Sequence, residues 1–167
     1  MAERADVGRT TRTMASVIGV IADTHGLVRA EALEALGPAD HIIHAGDIGS
    51  PDVLDALATI GPVSAVRGNS DNGEWAAALA RSQVVEVESA LLYVIHDLAE
   101  LDLDPSAAEL LAVITGHSHE PSIETRAGVL YLNPGSAGPR RFNFPVTVAR
   151  LHVSGHNIDP EIVHLGL

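Results

Sequence analysis

The chain has 167 residues, 46% of them hydrophobic, and a formal net charge of −12. This length and hydrophobic content predict a single globular domain, and no apolar run reaches the 18 residues that a membrane-spanning helix needs. The absence of cysteine excludes disulfides and limits any metal site to nitrogen and oxygen ligands. The negative charge argues against bulk nucleic-acid binding, which needs clustered lysine and arginine, although divalent cations would still allow a phosphate substrate.

The N-terminal segment is rich in arginine and threonine and contains no apolar stretch of the kind found in secretory signals. We expect residues 1–14 to form a disordered tail and residues 15–167 to form the domain. The missing signal and the missing cysteine together predict a cytoplasmic protein.

In the first half of the chain, short apolar runs alternate with helical patterns. Strands and helices are predicted in the order 16–22, 28–36, 41–45, 51–60, 64–66 and 72–81. Gly37-Pro38 ends the first helix, and Ser50-Pro51 predicts an N-cap and first helical residue for the second. This alternation predicts right-handed βαβ units and a largely parallel sheet.

The second half of the chain is dominated by predicted strands. They fall at 83–88, 91–95, 112–115, 123–126, 129–133, 146–153 and 161–165, with one short helix at 105–111. Only two residues separate 83–88 from 91–95 and 123–126 from 129–133, as in hairpins. The pattern predicts an α/β fold in which two sheets pack face to face with helices outside.

Five of the apolar runs end on residue types that bind metals. These residues are Asp23 and His25, Asp47, Asn69 and Asp71, His96, and His117 and His119. Because the carboxyl ends of parallel strands meet at one edge of a sheet, we expect these side chains to converge. Most of them alone would equally fit a helix cap or a turn, whereas two histidines at i and i+2 share one face. Together they predict a site for more than one metal.

The same residues, in the same order, carry a family resemblance. Asp23-x-His25, Gly46-Asp47, Gly68-Asn69-x-Asp71, His96 and Gly116-His117-x-His119 resemble the motifs of the calcineurin-like metallophosphoesterase superfamily. Asn133-Pro-Gly-Ser136, followed by Pro139-Arg140, is similar to its small single-domain bacterial and archaeal phosphodiesterase branch. The resemblance implies a four-layer α/β/β/α sandwich of two mixed sheets with helices on the outer faces. It also implies a metal-dependent phosphodiesterase that hydrolyses small phosphate esters by attack of a metal-bridging hydroxide.

The resemblance implies two divalent ions, with Mn favoured and Fe, Zn, Ni or Co as alternatives. By motif position, one ion is held by Asp23, His25, Asp47 and His119, and the other by Asp47, Asn69, His96 and His117. Asp47 is then the bridging carboxylate, and Asp47, Asn69 and Asp71 are the expected catalytic residues.

Ser70 occupies a place where many superfamily members have a histidine that assists the leaving group. A serine hydroxyl is a poor acid, so we expect either an undemanding leaving group or proton delivery by water. A phosphomonoesterase that efficiently expels a poor leaving group is less expected. Asp97 is predicted either to accept a hydrogen bond from an imidazole or to cap a helix. Arg140 and Arg141 are predicted either to contact a substrate phosphate or to lie in a solvated loop.

A scaffold is the alternative from a different functional class. The retromer scaffold subunit resembles this fold, and such a protein would bind metal without turnover and act through protein–protein interaction. The full set of ligand-type residues argues against this alternative. A homodimer formed through an edge strand or through Arg140–Phe144 is a further expectation.

Overall fold

The computed structural model describes residues 15–167, so the predicted tail at 1–14 lies outside the described residues. The strands are β1 Ser16–Ile21, β2 His41–His44, β3 Val63–Ala65, β4 Ser82–Val87, β5 Ala90–Ile95, β6 Ala112–Ile114, β7 Ser122–Arg126, β8 Val129–Asn133, β9 Thr147–Ser154 and β10 Asn157–His164. The helices are α1 Ala30–Leu36, α2 Pro51–Ala58 and α3 Glu74–Ala77, with one 3₁₀ turn at Leu98–Glu100.

The strands form two five-stranded mixed sheets. The first sheet has the order β10-β9-β1-β2-β3, and the second has the order β4-β5-β6-β8-β7. β1, β2 and β3 are parallel, as the βαβ pattern predicts, and β9 and β10 extend this sheet in the antiparallel sense. In the second sheet β5, β6 and β8 are parallel, flanked by antiparallel β4 and β7.

The near-continuous apolar strands are explained by burial on both faces of the first sheet. Ile43 of β2 lies in the core between the two sheets, whereas its neighbour Ile42 packs under the helices with Leu36 and Leu57. Since successive side chains of a strand point to opposite faces, both positions must be apolar. The two sheets pack face to face, and the helices lie on the outer face of the first sheet, which confirms the predicted sandwich.

The helices follow their local signals to different degrees. Ser50 caps α2, because its side chain accepts a hydrogen bond from the backbone N–H of Asp52 while Pro51 opens the helix. The predicted helix at 72–81 shortens to the four residues of α3.

The predicted helix at 105–111 is wrong. Residues 105–109 form turns, and Leu110 packs on the outer face of the second sheet beside Tyr93 and Val113. A segment this short gains too few internal hydrogen bonds to impose a helix, so packing of Leu110 decides its backbone. The outer layer over this sheet is therefore thin and consists of turns and the 3₁₀ turn.

None of the helices in the described part of the chain is long and apolar enough to cross a membrane.

Candidate metal centre

The predicted site residues come together where the carboxyl ends of the parallel strands of the two sheets meet. Asp23, Asp47 and Asn69 follow β1, β2 and β3 of the first sheet. His96 and His117 follow β5 and β6 of the second sheet. The convergence expected at one sheet edge therefore arises between two sheets, because both sheets direct their parallel strands to the same end of the sandwich.

Asp23, His25 and His119 form one donor group, with their ligand atoms all within 4.8 Å of one another. His119 Nε2 lies 3.5 Å from Asp23 Oδ1 and 3.4 Å from His25 Nε2. Two imidazole nitrogens that face each other this closely, beside a carboxylate oxygen, make a suitable nitrogen and oxygen donor set for a divalent cation.

Asp23, Asp47 and His96 form a second donor group that shares Asp23 with the first. His96 Nε2 lies 3.3 Å from Asp47 Oδ2 and 3.9 Å from Asp23 Oδ1. Asp47 Oδ2 also lies 3.8 Å from His25 Nε2, so this oxygen faces both groups. The structure thus places two carboxylates between the groups, Asp23 as well as the Asp47 expected from the resemblance.

Asn69 and His117 extend the second donor group. Asn69 Oδ1 lies 3.1 Å from His117 Nδ1, and the His117 ring is in edge contact with His96 at a centroid distance of 5.2 Å. The backbone N–H of His117 donates to Asp23 Oδ2 at 3.0 Å. All seven predicted metal ligands are therefore linked into one cluster by contacts between neighbours.

Buried atoms of this cluster lack the partners that buried polar groups ordinarily have. Within residues 15–167, four buried side-chain nitrogen or oxygen atoms have no hydrogen-bond partner, and three of them are Asp23 Oδ1, His96 Nε2 and His119 Nδ1. His96 Nδ1 donates to the Ala45 carbonyl at 2.7 Å, so Nε2 is the nitrogen that can present a lone pair to the site. A divalent cation would satisfy Asp23 Oδ1 and His96 Nε2 together, so these residues fit one; His119 faces its donor group with Nε2 and not with the orphaned Nδ1.

The pKa shifts show opposing effects of burial and charge in the cluster. Burial raises the pKa of Asp23 to about 7, with the Asp47 carboxylate adding to the rise and His96 opposing it. Burial lowers the pKa of His119 to about 4 and also lowers the pKa of His25. At His96 burial acts to lower the pKa, but the nearby Asp47 carboxylate and the Ala45 carbonyl prevail, and the net direction is upward. Positive charge is therefore favoured between Asp23 and Asp47.

The His96 ring and a backbone hydrogen bond keep the Asp47 carboxylate ionised. Burial acts to raise its pKa, but the neighbouring His96 ring and the hydrogen bond from the backbone N–H of Ser70 outweigh burial and lower the pKa well below its usual range. The Ser70 N–H donates to Asp47 Oδ1 at 2.9 Å, which leaves Oδ2 free to face the two histidines.

The backbone is strained where it presents the donor side chains. Five of the seven candidate ligands have positive φ angles between 48° and 72°, a conformation uncommon for residues other than glycine. These residues are Asp23, His25, Asp47, His117 and His119. Strain of this kind persists where the surroundings over-determine the backbone, and it concentrates at functional sites.

Two glycines of the motifs make room for the cluster. A Cβ on Gly46 would lie 2.6 Å from His96 Nδ1, and a Cβ on Gly116 would lie 2.9 Å from Asp23 Oδ2. Neither distance is compatible with a side chain, so these positions require glycine for close packing.

The sequence reasoning missed a buried network around Thr24 and His44. The Gly46 N–H donates to His44 Nδ1 at 3.1 Å, so His44 Nε2 carries the proton and donates to Thr24 Oγ1 at 2.9 Å. Thr24 then donates to the Ile48 carbonyl at 2.9 Å. This network ties the loop after β1 to the loop after β2. Burial lowers the pKa of His44 to about 3, so the ring is neutral.

Asn133 and Ser136, predicted only as part of a family signature, brace two further loops. Asn133 Nδ2 donates to the Gly116 carbonyl at 2.9 Å, and Ser136 Oγ donates to the Asp23 carbonyl at 3.0 Å. Since these loops belong to different sheets, the segment joins the two halves of the cluster. No ligand-type spacing marks such residues, because their partners are backbone atoms distant in the chain.

Asp71, predicted to be catalytic, is engaged by the backbone. Its two oxygens accept hydrogen bonds from Gly49 N and Gly68 N, each at 2.9 Å. The carboxylate thereby holds the loop after β3 against the loop after β2. This geometry gives Asp71 a positioning role, and any direct role in catalysis stays a prediction.

Of the two predicted roles of Asp97, the structure shows the cap. Asp97 Oδ1 accepts a hydrogen bond from Ala99 N at 3.0 Å and so caps the 3₁₀ turn. Asp97 Oδ2 lies 3.7 Å from His117 Nε2, within ion-pair range but beyond a hydrogen bond.

Comparisons with known proteins agree with this geometry. The family model of the calcineurin-like phosphoesterase superfamily domain matches residues 17–156. A probable metallophosphoesterase of Methanothermobacter thermautotrophicus is 36% identical over 165 residues, covering 90% of this chain and 93% of its own length.

Solved structures share the fold at lower identity. A structure described as a novel archaeal phosphodiesterase has a TM-score of 0.73 at 22% identity and covers 88% of this chain and 99% of that one. Vacuolar Protein Sorting 29 from Cryptosporidium parvum has a TM-score of 0.73 at 16% identity and covers 90% and 97%. With the family model spanning most of its length and a relative at more than one-third identity, the chain belongs to the calcineurin-like phosphoesterase superfamily and so to the metal-dependent phosphoesterases.

Proposed function

We propose that the protein is a phosphodiesterase that hydrolyses small phosphate esters with two divalent cations. The observation that carries the proposal is the pair of donor groups that share Asp23, with buried atoms that lack protein partners. Superfamily membership accounts for hydrolysis of phosphate esters, and the preference for diesters is the further step.

The proposed ligand sets extend the two donor groups and take Asp47, whose Oδ2 faces both groups, as the carboxylate that the two sets share. One cation is assigned to Asp23, His25, Asp47 and His119, and the other to Asp47, Asn69, His96 and His117. Support comes from the contacts that join the members of each set and from the mixed nitrogen and oxygen donors, which suit Mn, Fe, Zn, Ni or Co.

When bound, two such cations stabilise charge on the phosphoryl oxygens and bring the pKa of water to about 7, so no protein base is required. The chain supplies the orientation of the donors. The Ser70 N–H turns Asp47 Oδ2 toward both groups, and the Ala45 carbonyl fixes the His96 ring.

Ser70 bears on the leaving group. It is exposed on the loop after β3, and its hydroxyl is a poor proton donor, so the chain offers no acid at the position where many superfamily members have a histidine. We therefore expect the protein to act on esters whose leaving group departs without strong acid assistance.

The test is a metal analysis paired with a substrate panel. Purified protein is expected to contain up to two equivalents of metal, to lose activity in chelator and to regain it with Mn²⁺. Bis(4-nitrophenyl) phosphate should be hydrolysed faster than 4-nitrophenyl phosphate. Asp47→Asn should lose turnover, while Asp55→Asn, an exposed carboxylate on α2, serves as the matched control.

A metal-loaded wild-type protein that hydrolyses no diester or monoester would contradict the proposal. It would favour the catalytically idle scaffold, the alternative for which the shared fold of Vacuolar Protein Sorting 29 is the reason. Faster hydrolysis of monoesters than of diesters would keep the superfamily assignment and overturn the diester preference.

A further inference from the structure

The segment after β8 reaches the metal centre before it turns away. The Ala137 N–H donates to the Ala22 carbonyl at 3.1 Å, and Gly138 packs so closely on the carbonyls of Asp23 and Thr24 that a side chain there would not fit. Residues 139–144, here called the Arg141 loop, therefore begin at the rim of the donor cluster.

The two arginines of the Arg141 loop point to different places. Arg140 Nη1 lies 3.4 Å from the Leu167 carbonyl, toward the end of the chain. Arg141 forms no ion pair with the described residues, and its exposed side chain lies three residues beyond Gly138, the residue that packs on the carbonyls of Asp23 and Thr24. Burial is the main cause of the lowered pKa of His25, and the Arg141 charge lowers that pKa further.

Phe142 is an unusual residue for this chain. Its side chain is 82% exposed, although the chain contains only two phenylalanines and 3% aromatic residues. Both phenylalanines lie in the Arg141 loop, with Phe144 holding the Phe142 ring in an edge contact at a centroid distance of 5.8 Å. The Phe142 backbone has a φ of 53°, and the loop is closed by a hydrogen bond from Phe144 N to the Arg141 carbonyl.

We propose that the Arg141 loop is the substrate-recognition element, with Arg141 binding the phosphate of the ester and Phe142 stacking on an aromatic group attached to it. The substrate class is then a phosphodiester that carries a nucleoside or another planar aromatic group. This inference rests on the proposed function, because it assigns the substrate of the same site.

Charge and size favour a small anionic ligand over a macromolecule. The chain carries a net charge of −12, so an exposed guanidinium that forms no ion pair within residues 15–167 is a positive feature on a negative protein and attracts a phosphate. The surface area of one exposed aromatic ring is far below the roughly 1,000 Å² that a stable protein interface buries. An aromatic ring next to a positively charged side chain that binds phosphate is the usual arrangement for stacking a base.

The experiment uses two esters with the same leaving group. Thymidine 5′-(4-nitrophenyl phosphate) and ethyl 4-nitrophenyl phosphate both release 4-nitrophenol and differ only in the group that stays on phosphorus. Wild type, Arg141→Ala, Phe142→Ala and the matched control Arg140→Ala are compared by kcat/KM. Binding of thymidine 5′-monophosphate to the Mn²⁺-loaded proteins is measured by calorimetry as a readout independent of turnover.

Arg141→Ala should lower kcat/KM for both esters by on the order of tenfold to a hundredfold, as expected for a lost hydrogen bond to a charged group. Phe142→Ala should lower it about fivefold to a hundredfold for the thymidine ester only, the range for one base stacked on an aromatic side chain. Binding of thymidine 5′-monophosphate should weaken in both variants, and Arg140→Ala should behave as wild type.

Three results would overturn the inference while leaving the proposed function intact. They are unchanged kinetics in Arg141→Ala and Phe142→Ala, equal losses for both esters in Phe142→Ala, and a change of oligomeric state in Phe142→Ala without a kinetic effect. If wild type hydrolyses neither ester although it holds metal, the proposed function itself fails.

Discussion

Removing the Asp23 charge should stabilise the metal-free protein. Asp23 is fully buried, and burial raises its pKa from 3.8 to about 7. In Asp23→Asn the amide oxygen can still accept the hydrogen bond that His117 N–H donates to Asp23 Oδ2. The substitution therefore removes the cost of ionising a buried carboxylate while it keeps the local shape.

The sign and size of the effect follow from proton linkage. Between pH 4 and pH 7 the folded protein holds a proton on Asp23 that the unfolded chain has released, so stability from this group falls as the pH rises through that window. A pKa difference of about 3 units corresponds to a destabilisation of the folded state by about 4 kcal/mol, which is reached in full above pH 7. Structural relaxation and water entry reduce this, so we expect a gain of about 2–4 kcal/mol in the free energy of unfolding at pH 8.

The assay is urea denaturation with chelator present, followed by circular dichroism at pH 5 and pH 8. The advantage of Asp23→Asn over wild type should grow by about 2 kcal/mol between these pH values. Mn²⁺ at 100 times its dissociation constant would stabilise wild type by about 2.7 kcal/mol, so added metal should close the gap. Asp55→Asn, on the exposed face of α2, is the control and should show neither effect.

A variant that is less stable than wild type at pH 8 in chelator would refute the reasoning. It would mean that the Asp23 carboxylate is stabilised in the metal-free fold by its neighbours more than it is destabilised by burial.

Three other substitutions test separate parts of the site. Asp47→Asn should lower kcat by at least about a thousandfold, because it removes the charge that faces both donor groups; near-normal turnover in steady-state assays would contradict this. Thr24→Val cuts the link between His44 and the Ile48 carbonyl and should weaken Mn²⁺ binding about 10–100-fold in calorimetry, with an unchanged affinity as the opposing result. Gly46→Ala places a methyl group 2.6 Å from His96 Nδ1, so bound metal should fall below wild type in elemental analysis, whereas full metal content would show that His96 can move away.

The residues of the candidate site could be predicted because their chemistry is local. A buried strand is followed directly by Gly116-His117-Ser118-His119, so the candidate ligands and the glycine that packs closely against the site are neighbours in the sequence. The same holds for the Ser50-Pro51 start of α2 and for the two-residue turn at Ala127-Gly128, which the structure confirms. Each signal depends on neighbours a few residues apart, where sterics and side-chain capping act without the rest of the fold.

The helix predicted at 105–111 shows where local signals stop being sufficient. Its composition suits a helix, yet the burial of Leu110 against Tyr93 and Val113 decides its backbone. Helices this short are set by packing rather than by propensity.

Tertiary structure alone decided how the site is assembled. Residue pattern cannot assign a strand to a sheet, because pairing such as β1 with β9 joins residues more than a hundred positions apart. For the same reason no ligand-type spacing marks His44, Asn133 or Ser136 as part of the site, since the hydroxyl and the two carbonyls that they contact are brought close only by folding. The sequence alone therefore sets which donor residues occur and their order along the chain. Long-range hydrogen bonds and packing in the folded chain decided that these residues meet between two sheets and that Asp23 is shared by both donor groups.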